Sequence, residues 1–95
     1  MTVRNISEET VVTARPDNLV SALGSEAVIL NVGNGHYYGL NTTGAFIWQV
    51  VQQPVTMAEI ERRVCEEFDV SREQCRSDLR NVIEDMLEHG IVEVK

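Results

Sequence analysis

Few side chains in this 95-residue chain could attack a bond, shuttle a proton or hold a metal: Cys65 and Cys75, His36 and His89, and carboxylates such as Glu66, Glu67, Asp69, Glu84, Asp85 and Glu88. Nucleophilic hydrolysis needs a nucleophile, a base and an orienting group that converge where water is excluded. Neither cysteine sits in a sequence of that kind. There is no CxxC pair and no metal-ligand spacing, and both thiols fall in helix-like sequence, where they read as small buried or half-buried groups. The histidines lie far apart, one beside a turn and one at a helix end, so no metal set can be assembled from motifs. Clustered acids on helices are ordinarily solvated faces. Gly33-Asn34-Gly35 lacks the glycine spacing and the lysine of a phosphate loop and reads as hairpin chemistry. No catalytic residue, cofactor or metal is expected, which leaves recognition.

Two stretches suit binding. In the last long helical segment, Cys75, Leu79, Val82, Ile83 and Met86 form an apolar stripe at about 100° per residue, with Arg76 and Arg80 on one margin and Asp78 and Asp85 on the other. That stripe is either a core-facing helix with solvated borders or one wall of a groove whose charges address a bound segment. The second stretch is Tyr37-Tyr38-Gly39-Leu40, the last strand of a small sheet, whose edge is free unless something covers it. A free edge can accept another strand through main-chain hydrogen bonds, with side-chain pockets supplying specificity. The aromatic pair can equally be core and rim.

The elements that must position these stretches follow from periodicity. Thr10 to Arg15 is rich in β-branched residues and stops at Pro16-Asp17, so it reads as a short strand, preceded by a flexible arm over residues 1–9. Ala27 to Val32 and His36 to Leu40 are two more strands around Asn34-Gly35, a type I′ hairpin signal. If those two residues are the turn, Val32 faces Tyr37 and Ile29 faces Leu40; a one-residue slip would exchange faces. From Thr42 the period becomes about 3.6, with Gly44, Ile47, Trp48 and Val51 on one face, until Pro54. Thr56 to Glu59 has capping-box spacing and opens a second helix with the stripe Met57, Ile60, Val64, Phe68. Ser71 to Gln74 caps the third and longest helix, which Gly90 ends, and Ile91 to Val94 is a brief extended tail. Segregated strands and helices imply an α+β class: a small winged-helix-like domain, a three-stranded antiparallel sheet followed by three helices.

Composition bounds the rest. A chain of this length holds one core, because two domains of about 50 residues would each bury too little surface. With 43% hydrophobic and 24% charged residues it is ordinary for a soluble domain. No apolar run approaches the roughly 20 residues that span a bilayer, and Met1 to Glu9 carries no export signal, so the cytoplasm is the default and no membrane partner is expected. Fifteen acidic residues against eight basic ones give a net charge of −7, which repels phosphate backbones and favours cationic partners. A winged-helix nucleic-acid binder could present Arg72, Arg76 and Arg80 as a ridge, but that charge opposes it, and no nucleic-acid partner is expected.

The segment Gly35-His36-Tyr37-Tyr38-Gly39-Leu40-Asn41-Thr42-Thr43-Gly44-Ala45-Phe46-Ile47-Trp48 resembles the signature of the PqqD family, named for its pyrroloquinoline quinone pathway member. Val28-Ile29-Leu30 is similar to the family's second strand, and Asp78-Leu79 through Leu87-Glu88-His89-Gly90-Ile91-Val92 to its closing helix, so the likeness spans residues 10–94. It implies a recognition element for ribosomally synthesised, post-translationally modified peptides. In such elements the precursor leader binds as an added strand beside the third strand and against the third helix. Free-standing examples with Tyr-Tyr and Leu-Asn-Thr-Gly are typical of lasso-peptide pathways, where a non-catalytic adaptor works with a separate leader peptidase or other maturation enzyme. The carry-over reaches Tyr37, Tyr38, Gly39 and Leu40 through the strand motif. It reaches Cys75, Asp78, Leu79, Val82, Asp85 and Met86 through their helix position alone.

Overall fold

The computed structural model describes residues 6–95 and has the α+β organisation that segregated elements imply. Its elements are β1 (Val11–Ala14), β2 (Asn18–Leu23), β3 (Glu26–Asn31), β4 (His36–Leu40), α1 (Thr42–Val50), β5 (Val55–Thr56), α2 (Met57–Glu67), α3 (Arg72–Glu88) and β6 (Val92–Val94). β2, β3 and β4 form a three-stranded antiparallel sheet, which the three helices follow. A second small sheet places β1 between β5 and β6.

Three local expectations change. The strand expected over Thr10 to Arg15 exists as β1, but Val12 pairs with Val55 on one side and Val94 on the other, so this strand fastens the helices and the tail instead of joining the hairpin. Its place beside β3 is taken by β2. Most β2 residues are exposed and show no apolar alternation, yet Gly24 at φ +65° and Ser25 make the two-residue loop of a tight hairpin.

The β3–β4 hairpin is longer than Asn34-Gly35 suggests. Asn31 pairs with His36 across the four residues Val32 to Gly35, and Ile29 stands opposite Tyr38. Gly35 takes a positive φ of +74°, whereas Asn34 does not and instead accepts the His36 N–H on its side-chain oxygen at 2.8 Å. The shift is two residues, so every side chain keeps its face. Ile29 and Leu40 point into the core, while Leu30 and Tyr37 point outward.

The flexible arm is the third change. Ile6 is 2% exposed, its carbonyl accepts a hydrogen bond from Arg80, and the Glu8 carbonyl accepts the Ala58 N–H at 3.0 Å. Burying one isoleucine stabilises by about 1.5–3 kcal/mol, enough to offset ordering of a residue or two. Residues 1–5 of that expected arm lie outside the described residues.

The helices begin and end where their caps dictate. Asn41 Oδ1 accepts the Gly44 N–H at 2.8 Å, and a Cβ on Gly44 would meet Leu40 Cδ2 at 3.2 Å, so the Leu-Asn-Thr-Thr-Gly run couples β4 to α1 tightly. Thr56 accepts the Glu59 N–H at 3.2 Å, but Glu59 turns to Arg62 and Arg63, so only half of the capping box forms. At the end of α3, Gly90 at φ +73° lets its own N–H reach Leu87 O and the Ile91 N–H reach Met86 O, a Schellman ending. The core gathers Val12, Ile29, Ile47, Val51, Ile60, Ile83, Met86, Ile91 and Val92 between the two sheets and the helices.

Candidate functional site

β4 is an edge strand of its sheet. Backbone groups of successive strand residues point to alternate sides. The Val32 N–H bonds Asp17 O on the β2 side, while the Asn31 carbonyl accepts the Gly35 N–H on the β4 side. By alternation Ile29 and Ala27 also address β4, and their partners Tyr38 and Leu40 are the inward-bonded residues of that strand. The main-chain groups of Tyr37 and Gly39 therefore face the open edge. A Cβ built on Gly39 meets nothing within 4 Å, so the sheet face at this position is open.

α3 stands across from that edge. The Tyr38 hydroxyl donates to Asp85 Oδ2 at 2.5 Å, and the Tyr38 ring lies 5.0 Å from that of His89. Toward the other end of α3, Cys75, Asp78, Leu79 and Val82 line a small cavity of about 60 Å³ with Thr43 and Ile47 of α1 and with Phe68 and Val70. Along α3, the Tyr38–Asp85 bridge thus stands toward one end and the apolar recess rimmed by Asp78 toward the other, and the side of the helix between them is the cleft considered below. A wider open depression of about 570 Å³ lies on the other side of the sheet edge, between β2 and α1, where Val20, Phe46 and Trp48 contribute apolar walls.

The ten residues singled out from sequence fall into three groups. Tyr37 (73% exposed) and Gly39 form the accessible edge, with Tyr38 half-buried and Leu40 buried beneath it. Asp78 and Asp85 are exposed and Val82 is half-buried on the same side of α3. Cys75, Leu79 and Met86 are buried, at 3%, 3% and 0% exposure. Cys75 and Leu79 form the floor of the recess, whereas Met86 is core and does not line it. Burial and the neighbouring Cys65 and Glu61 push the Cys75 thiol up to about 12, so it stays protonated and unreactive. His89, Thr43, Phe68 and Val70 also border the cleft; the signal for His89 was its place four residues after Asp85 on the same helical face.

Charge on α3 is segregated. Arg72 and Arg76 reach across to Glu61, which is 3% exposed, at 3.1 and 3.2 Å, and Arg76 also pairs with Glu8 at 3.2 Å. Arg80 bonds Ile6 O and lies 3.8 Å from Glu84. The three arginines of a hypothetical nucleic-acid ridge are thus engaged in holding α3 to α2 and to the N-terminal residues. The opposite margin, facing β4, carries Asp78 and Asp85 with no arginine partner among the described residues. The outer face of the sheet is apolar and, among the described residues, uncovered: Leu19 pairs with Leu30 and Leu30 with Tyr37 across the three strands, and Leu19, Leu23 and Val32 are 61%, 60% and 57% exposed. No helix among the described residues is long and apolar enough to cross a membrane.

An edge strand and a helix bridged to it define a small winged-helix-like α+β domain. The chain belongs to the PqqD family: residues 26–92 match the family described as coenzyme PQQ synthesis protein D, a span that includes the run from Gly35 to Trp48. A comparison with curated proteins finds no match. Among solved structures the chain is similar to "TbiB1 in Complex with the TbiA(beta) Leader Peptide", with 25% identity, 85% of this chain and 94% of that one covered, and a TM-score of 0.78. It shares its fold with "Lasso peptide synthetase B1 complexed with the leader peptide", at 24% identity, 86% and 96% coverage and a TM-score of 0.73.

Proposed function

We propose that this protein is a non-catalytic adaptor that binds the leader of a ribosomally made precursor, of the lasso-peptide kind, and presents it to a separate leader peptidase or other maturation enzyme in the cytoplasm. The observation that carries this reading is the free edge of β4, with the main-chain groups of Tyr37 and Gly39 open beside α3. An extended leader pairs there, directs apolar side chains toward the recess by Val82 and places cationic ones near Asp78. The similarity to a chain solved with a leader peptide supports a leader as the bound segment. The uncovered face of Leu19, Leu23, Val32 and Tyr37 supports presentation, because an apolar patch on an otherwise acidic surface marks a place where a second protein can pack.

The test uses a fluorescein-labelled synthetic leader of the precursor encoded beside the gene, followed by anisotropy. Saturable binding equal to that of intact precursor, with none for the core peptide alone, is the expected result. Binding of intact precursor without binding of the leader would remove the leader from the mechanism. Trp48 is 6% exposed, so its emission changes little and the label is the better reporter.

A further inference from the structure

β4 and α3 are joined across the cleft by a single side-chain hydrogen bond among the described residues, from the Tyr38 hydroxyl to Asp85 Oδ2 at 2.5 Å. The end of α3 beneath it is fixed from two further directions. Asn31 Nδ2 donates to Gly90 O at 3.1 Å and to Asn18 Oδ1 at 3.0 Å, and Asn18 Nδ2 donates to Gly90 O at 3.3 Å, so β2 and β3 hold the helix terminus from their side of the sheet. His89, one turn after Asp85, lies with Nδ1 2.8 Å from Asp85 O and 3.6 Å from Asp85 Oδ1, and its ring is tilted 44° against that of Tyr38. The sheet is thereby hinged to α3 at Gly90, and from the edge strand Tyr38 reaches the helix.

We propose that Tyr38, Asp85 and His89 form a clasp that holds the β4–α3 cleft at its peptide-accepting width before a peptide arrives. Tyr38 and Asp85 are then positioning residues: their hydroxyl and carboxylate are spent on each other, and they act on affinity through the spacing of the two walls. This inference rests on the strand-addition reading above and adds to it a division of labour, with the Tyr37 and Gly39 main chain making contact and the Tyr38 side chain setting geometry. Burial first, then the hydrogen bond and charge of Asp85, push the Tyr38 hydroxyl well above its usual range, which keeps the bridging proton in place. A clasp of this kind saves the incoming strand the cost of ordering the cleft.

Stopped-flow anisotropy with the fluorescein-labelled leader, on wild type, Tyr38→Phe, Asp85→Asn and the double variant at 0.15 M salt or above, tests it; that salt damps the long-range steering that a change in charge would alter. Tyr38→Phe keeps the ring and its packing, and circular dichroism checks the fold. Because the bond is half-exposed, loss of the hydroxyl weakens binding about threefold to tenfold. A protein that populates the accepting width less often binds more slowly but releases its ligand at the same rate, so the loss falls in kon with koff unchanged. Asp85→Asn gives a similar loss, and the double variant is no worse than either single one. Wild-type affinity for Tyr38→Phe, losses that multiply in the double variant, or a rise in koff at constant kon would overturn the clasp while leaving strand addition intact. Absence of leader binding by wild type would remove strand addition itself, and the clasp with it.

Discussion

Glu61 shows how much of this fold hangs on a few side chains. Its carboxylate is 3% exposed, accepts hydrogen bonds from Arg72 and Arg76, and ties α2 to α3 beneath the recess. Burial alone would raise its pKa, but the hydrogen bonds and charges of Arg76 and Arg72 outweigh it and hold the group below its ordinary value of 4.5. A carboxyl depressed in the folded state contributes stability above its unfolded pKa and loses that contribution as pH falls through the folded one. Glu61→Gln is therefore expected to cost about 1–3 kcal/mol at pH 7, discounted because both arginines are largely exposed, and the gap to wild type narrows as pH drops below 4.5. Urea unfolding of both proteins at pH 7 and pH 3 measures this; a gap that stays constant with pH would detach Glu61 from the arginines. Leu79 and Met86 are poor probes of binding by comparison, since truncating a buried side chain of that size costs about 2–5 kcal/mol whatever the ligand does.

Among the elements, the turn glycines carry distinct burdens. Gly35 and Gly90 both have positive φ, but a Cβ on Gly35 meets nothing within 4 Å, whereas one on Gly90 would come within 3.3 Å of Asn31 Nδ2. Gly35→Ala is expected to cost about 1 kcal/mol of backbone strain, and Gly90→Ala more, about 2 kcal/mol, because it also disturbs the Asn31–Gly90 hinge. Denaturant midpoints of the two variants decide it; equal costs would mean that the hinge contributes nothing beyond the turn. Gly90 was legible as a stop because a glycine after a periodic apolar stripe has one common use. Helices α1, α2 and α3 were legible throughout for the same reason: their stripes repeat over several turns. β2 was not, since Asn18 to Leu23 is an exposed edge strand whose two faces carry no contrast, and the Gly24-Ser25 turn signal had no apolar alternation before it to give it weight. The strand β1 was found, but its partners β5 and β6 lie more than forty residues away, and short β-branched runs do not encode which neighbour they will pair with. At the site the edge residues Tyr37 to Leu40 were legible from the hairpin, whereas the helix residues divided into cleft and core only once burial was known. The Tyr38–Asp85 bridge joins residues 47 apart and had no local sign.

As a whole molecule the protein separates its tasks by surface. Arginines fasten α3 from behind, acids line the side toward β4, and the sheet keeps one apolar face bare, all within a chain of net charge −7. In the adaptor proposed above, the edge and cleft take an extended cationic or apolar segment, and the outer face packs against a protein that acts on it. The central claim is that the segment adds as a strand on β4. Residue-resolved amide exchange, with and without saturating synthetic leader, tests it most directly. The Tyr37 and Gly39 amides, which face the open edge, should gain protection, while those of Tyr38 and Leu40, already directed at β3, and those inside α1 should change little. Protection appearing along Asn18 to Leu23 or in α2, with Tyr37 and Gly39 unchanged, would contradict the account.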